Sequence, residues 1–259
     1  MGRTTDHAEA VGVAEVNPSG TSSIVLICEH ASHHIPDDFK GLGLAPDALQ
    51  SHAAWDPGAM AVAERLSARL DAKLLAGTVS RLVYDLNRPP DAPGAMPEQS
   101  EVFAVPGNRD LTQAARAERA ARYYQPFHDR IEEVMAVIDA PILVTVHSFT
   151  PVFLGQRRAV EIGVLHDADS RLADAMLACA EAHTQSDVQR NAPYGPQDGV
   201  MHTLHLHGIA QDRLNVMLEI RNDLIGTADD QDRMAQMIAG WLADACARLG
   251  AGERVSCVA

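Results

Sequence analysis

The sequence predicts a single-domain α/β protein, with one mostly parallel or mixed central sheet and helices on both faces. Three observations carry that expectation. Short continuous apolar runs, such as Ser23-Ile-Val-Leu-Ile-Cys28 and Pro141-Ile-Leu-Val-Thr-Val146, read as strands buried on both sides. Amphipathic helical stretches alternate with them, the pattern of a sheet covered by helices. Apolar residues make up 46% of the 259 positions but aromatics only 4%, a mix that suits helices on a sheet better than a β-sandwich.

Taken in order, residues 1–20 read as a flexible lead-in, 21–250 as the folded domain and 251–259 as a tail. After the Ser23–Cys28 strand, Pro57 to Leu70 reads as a helix, with Asp56 as N-cap and Pro57 at the first helical position. Lys73–Ala76 and Arg81–Leu86 read as strands, the second from its alternation of Leu82, Tyr84 and Leu86 against Val83 and Asp85. Residues 88–110, rich in Pro, Gly and charge, form a long loop of the kind that is usually functional or mobile. Leu111 to Ile138 is the clearest helical region, with Pro126 kinking or splitting it. Val160–Leu165 and Asn215–Ile220 are further strands. Ser170–Ala182 is a helix, and Asp229–Leu249 is a final one with Met234, Ile238, Trp241, Ala245 and Leu249 on one stripe.

The balance of charge excludes some functions. Lys and Arg total 21 against 35 Asp and Glu, a net −14 that repels phosphate backbones and argues against nucleic-acid binding. No apolar run approaches the roughly 18 residues that would suggest a membrane span. The first twenty residues lack the apolar core of a signal peptide. Cys28, Cys179, Cys246 and Cys257 include no CxxC pair, which suits a reduced cytoplasmic protein.

Three polar stretches follow apolar strands: Cys28-Glu-His-Ala-Ser32, Val146-His-Ser-Phe149 and Leu218-Glu-Ile-Arg221. Ligands of open α/β sheets sit at the carboxyl ends of strands. Two histidines and one carboxylate there suit a catalytic zinc, and a nearby Glu can act as general base on the activated water. A single strand-end His is more often a hydrogen-bonded structural residue. His33 and His34 read as surface groups, and the spacing of His202, His205 and His207 does not put all three on one helical face. In the run Ser80 to Pro89, Arg81 and Arg88 either are solvated on an edge strand or hold a substrate carboxylate in a bidentate fork.

Cys28-Glu-His-Ala-Ser32 with Ile35-Pro36, Ala54-Trp-Asp-Pro-Gly58, Ser80-Arg-Leu-Val-Tyr-Asp-Leu-Asn-Arg-Pro89, Val146-His-Ser-Phe149 and Leu218-Glu-Ile-Arg221 together resemble the N-formylglutamate amidohydrolase family, over roughly residues 24–245. The resemblance implies a fold like that of zinc carboxypeptidases and phosphorylase-type hydrolases. It also implies hydrolysis of a small molecule, N-formyl-L-glutamate, to formate and L-glutamate, late in histidine breakdown. It implies zinc or another divalent metal on His30, Asp56 and His147, with Glu29 as a rival third ligand. It implies Glu219 as general base, and Arg81, Asn87, Arg88 and Arg221 as substrate-binding residues. Glu29 stands where enzymes of the histidine pathway carry Pro before the first metal His, and the loop from Asn191 to His207 lacks their Gly- and Arg-containing pattern. Both departures point to a side branch of the family, acting on formylglutamate or on another N-acyl amino acid, or binding a metal without turnover.

Overall fold

The structure, a computed structural model, describes residues 7–10 and 12–255. A central sheet of eight strands is formed by β1 (His7–Ala10), β2 (Val13–Val16), β3 (Ile24–Cys28), β4 (Lys73–Gly77), β5 (Ile142–Phe149), β6 (Ile162–Leu165), β7 (Val188–Arg190) and β8 (Asn215–Arg221). Their spatial order is β1-β2-β4-β3-β5-β8-β6-β7. The centre, β4-β3-β5-β8, is parallel, while β2 pairs antiparallel with β4, and β6 antiparallel with β8. The sheet is therefore mixed, with a parallel core, as the alternation of strands and helices predicts.

Two apolar layers sandwich it. On one face, alternate residues such as Leu26, Val144 and Leu218 meet α1 (Ala59–Leu70) and a long C-terminal helix over Ala228–Arg248 that buries Ile238, Trp241 and Ala245. On the other face, Val25, Ile27, Leu143 and Met217 meet Phe127 and Ile131 of the helix over Gln125–Ala136. Period-two alternation along buried strands separates the two sets.

Several local expectations shift. Residues 7–10 form the edge strand and 13–16 the strand next to it, so the expected lead-in over 1–20 is part of the sheet there, and residues 1–6 lie outside the described residues. Val255 is buried in the core, so the chain stays attached past residue 250. The helix expected from Pro57 begins at Ala59, because Gly58 takes a left-handed conformation (φ +83°) and Asp56 makes no side-chain cap. A Cβ at Gly58 would come 2.8 Å from the Ile225 carbonyl oxygen, so glycine is required at this turn.

Arg81–Leu86 is not a strand. The amides of Val83 and Tyr84 donate to the Ser80 carbonyl, the Leu82 amide donates to the Ser80 hydroxyl, and the Asn87 amide donates to Asp85 Oδ1. Short polar side chains have captured the backbone in turns, which defeats the alternation pattern.

The helical region after Leu111 runs as α2 (Gln113–Arg119), a wide π turn (Ala120–Tyr124) and α3 (Gln125–Ala136), with Pro126 in the first turn of α3. The helix expected over Ser170–Ala182 breaks into α4 (Arg171–Leu177) and α5 (Ala180–His183), and the last helix is α6 (Ala228–Arg248). Its stripe ends early, since Leu249 is 38% exposed. Among the described residues, no helix is long and apolar enough to cross a membrane. Cys28, Cys179 and Cys246 are buried free thiols, and Cys257 lies outside the described residues.

Candidate active site

The sheet topology fixes where the site falls. From β3 the chain passes through α1 to β4 on one side, then returns through α3 to β5 on the other side of β3. Strand order thus reverses between β3 and β5, and a crevice opens beyond their carboxyl ends. His30 lies two residues past β3, and His147 lies on β5 two residues before its end. The parallel register sets Glu219 of β8 directly opposite His147. Asp56 arrives from the turn before α1, where its backbone N–H donates to the His30 carbonyl (3.0 Å).

These groups line a cavity of about 310 Å³ with Arg81, Asp85, Asn87, Arg88, Ser148 and, on its more apolar wall, Phe153, Tyr194 and Val200. Asp56 Oδ2 lies 2.9 Å from His147 Nδ1 and 3.4 Å from His30 Nδ1, and accepts the Ser148 amide at 3.3 Å. His30 Nε2 donates to Asp85 Oδ1 at 2.7 Å. His147 Nε2 lies 3.1 Å from Glu29 Oε2, a close ion-pair contact that falls short of hydrogen-bond alignment. Each ring therefore turns Nδ1 toward Asp56 and Nε2 toward a separate buried carboxylate. That arrangement orients imidazoles for a shared ligand on the Nδ1 side.

Electrostatics follow from the same contacts. Burial and Arg81 push His30 down, but Asp85 and Asp56 outweigh them and raise it above the usual range. His147 is raised well above its ordinary value by Glu29 and Asp56, against its own burial. Asp56 and Asp85 are held far below the carboxylate range by the histidines, with Arg81 adding to the hold on Asp85, although burial opposes this. Glu29 is likewise lowered, to about 2, by His147 against complete burial. Glu219 goes the other way: burial, with Asp56 nearby, pushes it up to about 7 despite His147. Its Oε2 is buried and has no hydrogen-bond partner.

The donor set fits a divalent cation. His30, Asp56 and His147 each offer one atom, all mutually within 4.8 Å and all buried. Four carboxylates (Glu29, Asp56, Asp85 and Glu219) surround this point, against the guanidiniums of Arg81 and Arg88. Buried negative charge of that size favours positive charge beside it, and it raises the affinity of both histidines for protons. A metal bound by neutral imidazoles and a carboxylate displaces such protons.

The sequence-predicted residues separate cleanly. His30, Asp56, His147, Glu219, Arg81, Asn87 and Arg88 converge. Glu29 sits behind His147 on its Nε2 side, so of the two rival third ligands only Asp56 belongs to the converging group. Arg221 does not line the cavity: it pairs with Asp223 and Glu161 and donates to the Ala159 carbonyl, because β8 ends there and the side chain folds back over the 158–161 segment. Arg81 bridges Asp56 and Asp85, and Arg88 donates to the Asp198 carbonyl. Asn87 clamps the 200–203 loop, donating to the Val200 carbonyl (2.6 Å) and accepting the Thr203 amide (2.9 Å).

Sequence reasoning gave no role to Asp85, although its position within the Ser80–Pro89 run was a signal. Tyr194 and Val200 come from loops, and Phe153 from a two-residue strand paired with Gln156–Arg157, none with a distinguishing local pattern. His33 and His34 are exposed, as expected, and so is His205, while His202 pairs with Tyr124 and His207 with His128.

A mixed sheet with histidines and carboxylates gathered at its switch point defines a hydrolase-like α/β protein with a site competent for a metal. The comparisons narrow this class. The family model of N-formylglutamate amidohydrolase matches residues 22–226, and the chain belongs to that family. Among solved structures it is similar to gene product Atu2144 from Agrobacterium tumefaciens, at 49% identity and a TM-score of 0.91 over 93% of this chain and 97% of that one. It also shares its fold with N-formylglutamate amidohydrolase from Ralstonia eutropha JMP134, at 21% identity and a TM-score of 0.67 over 93% of this chain and 100% of that one. No curated protein sequence matches it. Family membership supports an amidohydrolase activity on a small-molecule substrate.

Proposed function

We propose that this chain is a divalent-metal amidohydrolase that cleaves the amide of an N-acylated acidic amino acid. Zinc is the best-suited metal, and N-formyl-L-glutamate, giving formate and L-glutamate as in histidine breakdown, is the first substrate to test. The carrying observation is the convergence of His30 Nδ1, Asp56 Oδ2 and His147 Nδ1 beside an unpartnered Glu219 oxygen on one cavity. Three buried thiols without a disulfide suit a reduced, cytoplasmic setting.

His30, Asp56 and His147 would hold the metal. When bound, it supplies Lewis acidity to the scissile carbonyl and lowers the pKa of water. Glu219 Oε2 takes the proton of the attacking water and returns it to the leaving amine. Asp85 and Glu29 keep the two imidazoles turned to present Nδ1. Arg88 and Arg81 offer guanidinium edges to a substrate carboxylate at the cavity, and Asn87 fixes the loop that forms its rim.

One observation favours a second substrate choice under the same mechanism. With Arg221 facing away and Phe153, Tyr194 and Val200 lining the wall, the cavity also suits an N-acyl amino acid with a larger, less charged part. The deciding experiment loads purified protein with zinc and follows amine release from N-formyl-L-glutamate and a panel of N-acyl amino acids. Turnover that is abolished by chelation and restored by zinc is the expected result. Turnover of other acyl amino acids alone would retain the chemistry and replace the substrate. No hydrolysis of any member by folded, zinc-loaded protein would overturn the reading.

A further inference from the structure

A second cluster of metal-ligating side chains lies on the helical face of the sheet, away from the cavity. Cys179 and His183 are four residues apart, just before and at the end of a single helical turn. The break between α4 and α5 makes Cys179 the residue that leads into the single turn Ala180–His183. Asp244 comes from the middle of α6 and lies 3.0 Å from His183 Nε2. One donor atom from each of the three residues falls within 4.8 Å of the other two.

The surroundings are shaped for these three groups. The His183 ring packs against α6 at Gly240, where even a Cβ would meet Nδ1 at an ordinary contact distance of 3.6 Å. Trp241 Nε1 donates to the Met176 carbonyl at 2.7 Å, pinning the end of α4 to α6 just before Cys179. The Cys179 thiol is buried and donates to the Ala175 carbonyl, whereas the Asp244 carboxylate is about half exposed. The cluster is thus anchored on its sulfur side and open to solvent on its carboxylate side. Burial pushes the thiol up, and the Arg248 guanidinium beside it pulls the other way.

We propose that Cys179, His183 and Asp244 form a second, exchangeable binding site for a borderline-soft divalent cation such as zinc, clamping the α4–α5 corner to α6. Thiolate sulfur, imidazole nitrogen and carboxylate oxygen are the ligand types zinc accepts, and harder cations such as magnesium or calcium are disfavoured by the sulfur. Around a tetrahedral zinc such atoms sit roughly 3.3–3.8 Å apart, a spacing that side-chain rotation can reach from within 4.8 Å. Cation binding releases one proton, from the thiol, and oxidises nothing. Three protein ligands leave a fourth position to water. The net −14 of the chain raises the local concentration of cations. Because the site joins two helices, its occupancy stabilises the fold, by an amount that grows with the logarithm of free cation once the site is filled.

Cobalt(II) titration of metal-free, full-length protein tests this. A thiolate ligand gives a near-ultraviolet charge-transfer band that histidine and carboxylate ligands do not give, so the readout needs no activity. The band should appear as about one equivalent binds through sulfur, vanish in Cys179→Ser and persist in Cys28→Ala. In Asp244→Asn, half-saturation should shift about tenfold or more to higher cobalt. Asp244 is exposed enough that this variant folds even if Cys179→Ser does not. No band in folded wild type, a band that survives Cys179→Ser, or Asp244→Asn titrating like wild type would each overturn the proposal. His147→Ala should leave the band intact, which separates this site from the one in the cavity.

Discussion

Two groups of histidines, one lining the cavity and the other packed between α3 and residues 202–207, have opposite electrostatics. His30 and His147 face Asp56, Asp85 and Glu29, and their affinity for protons is raised. His128, His202 and His207 face one another and Tyr124, with Glu132 the carboxylate at their edge. Burial lowers the pKa of all three; repulsion from His207 adds to this at His128, pushed to about 3, and at His202, pushed to about 4, while Glu132 opposes the shift at His207. Burial is similar for His30, His147, His128 and His207. What differs is the number of carboxylates within reach. Imidazole beside buried anions collects positive charge, as proton or metal, whereas imidazole beside imidazole stays neutral and serves as structural hydrogen-bonding material.

That contrast can be broken most sharply at Glu219. Glu219→Gln should retain the metal and lose about two to four orders of magnitude in kcat, measured with the best substrate of the panel. Near-normal turnover would remove Glu219 as base. Metal content comes next. His30→Ala should drop bound zinc from about one equivalent in the cavity to near none, while His207→Ala should keep it, read by elemental analysis after dialysis with Cys179→Ser as background. Equal loss in both would erase the distinction between the two histidine groups.

Glu29→Gln leaves the converging ligands in place but removes the charge behind His147. Zinc affinity should fall about 10–100-fold in a competitive chelator titration. The smallest effect concerns stability. His128 is neutral in the fold and has its ordinary pKa when unfolded, so the unfolded chain binds the extra proton as pH falls below about 6.5. The urea midpoint should therefore decline from about pH 6.5 downward, toward the folded value of about 3. In His128→Gln the decline should be shallower, and identical pH profiles would rule out this linkage.

Strands over Ser23–Cys28 and Pro141–Val146 and the final amphipathic helix were legible because burial on a sheet or along a helical stripe leaves a period in the sequence. Arg81–Leu86 was misread because alternation is only a correlation, and the Ser80 hydroxyl, Ser80 carbonyl and Asp85 carboxylate captured the backbone first. The helix over Ser170–Ala182 was read as continuous because its break at Ala178–Cys179 carries neither Gly nor Pro.

The candidate site divides in the same way. Motifs in order along the chain brought out His30, Asp56, His147 and Glu219, because each lies in a short conspicuous run, at or near a strand end for His30, His147 and Glu219 and just before a helix for Asp56. The sequence by itself thus determined the fold class, the strand ends and the chemical types gathered there. Only the tertiary structure decided which nitrogen of each histidine faces Asp56, that Glu29 stands behind His147, that Asp85 stands behind His30 and that Arg221 turns away. Those outcomes depend on side-chain direction and on contacts between residues 26 to 118 positions apart, such as His30 with Asp56 and Glu29 with His147. Local sequence records which groups are present. The packing of separate elements sets the angles and distances at which they meet, and those angles and distances determine which atoms can share a ligand.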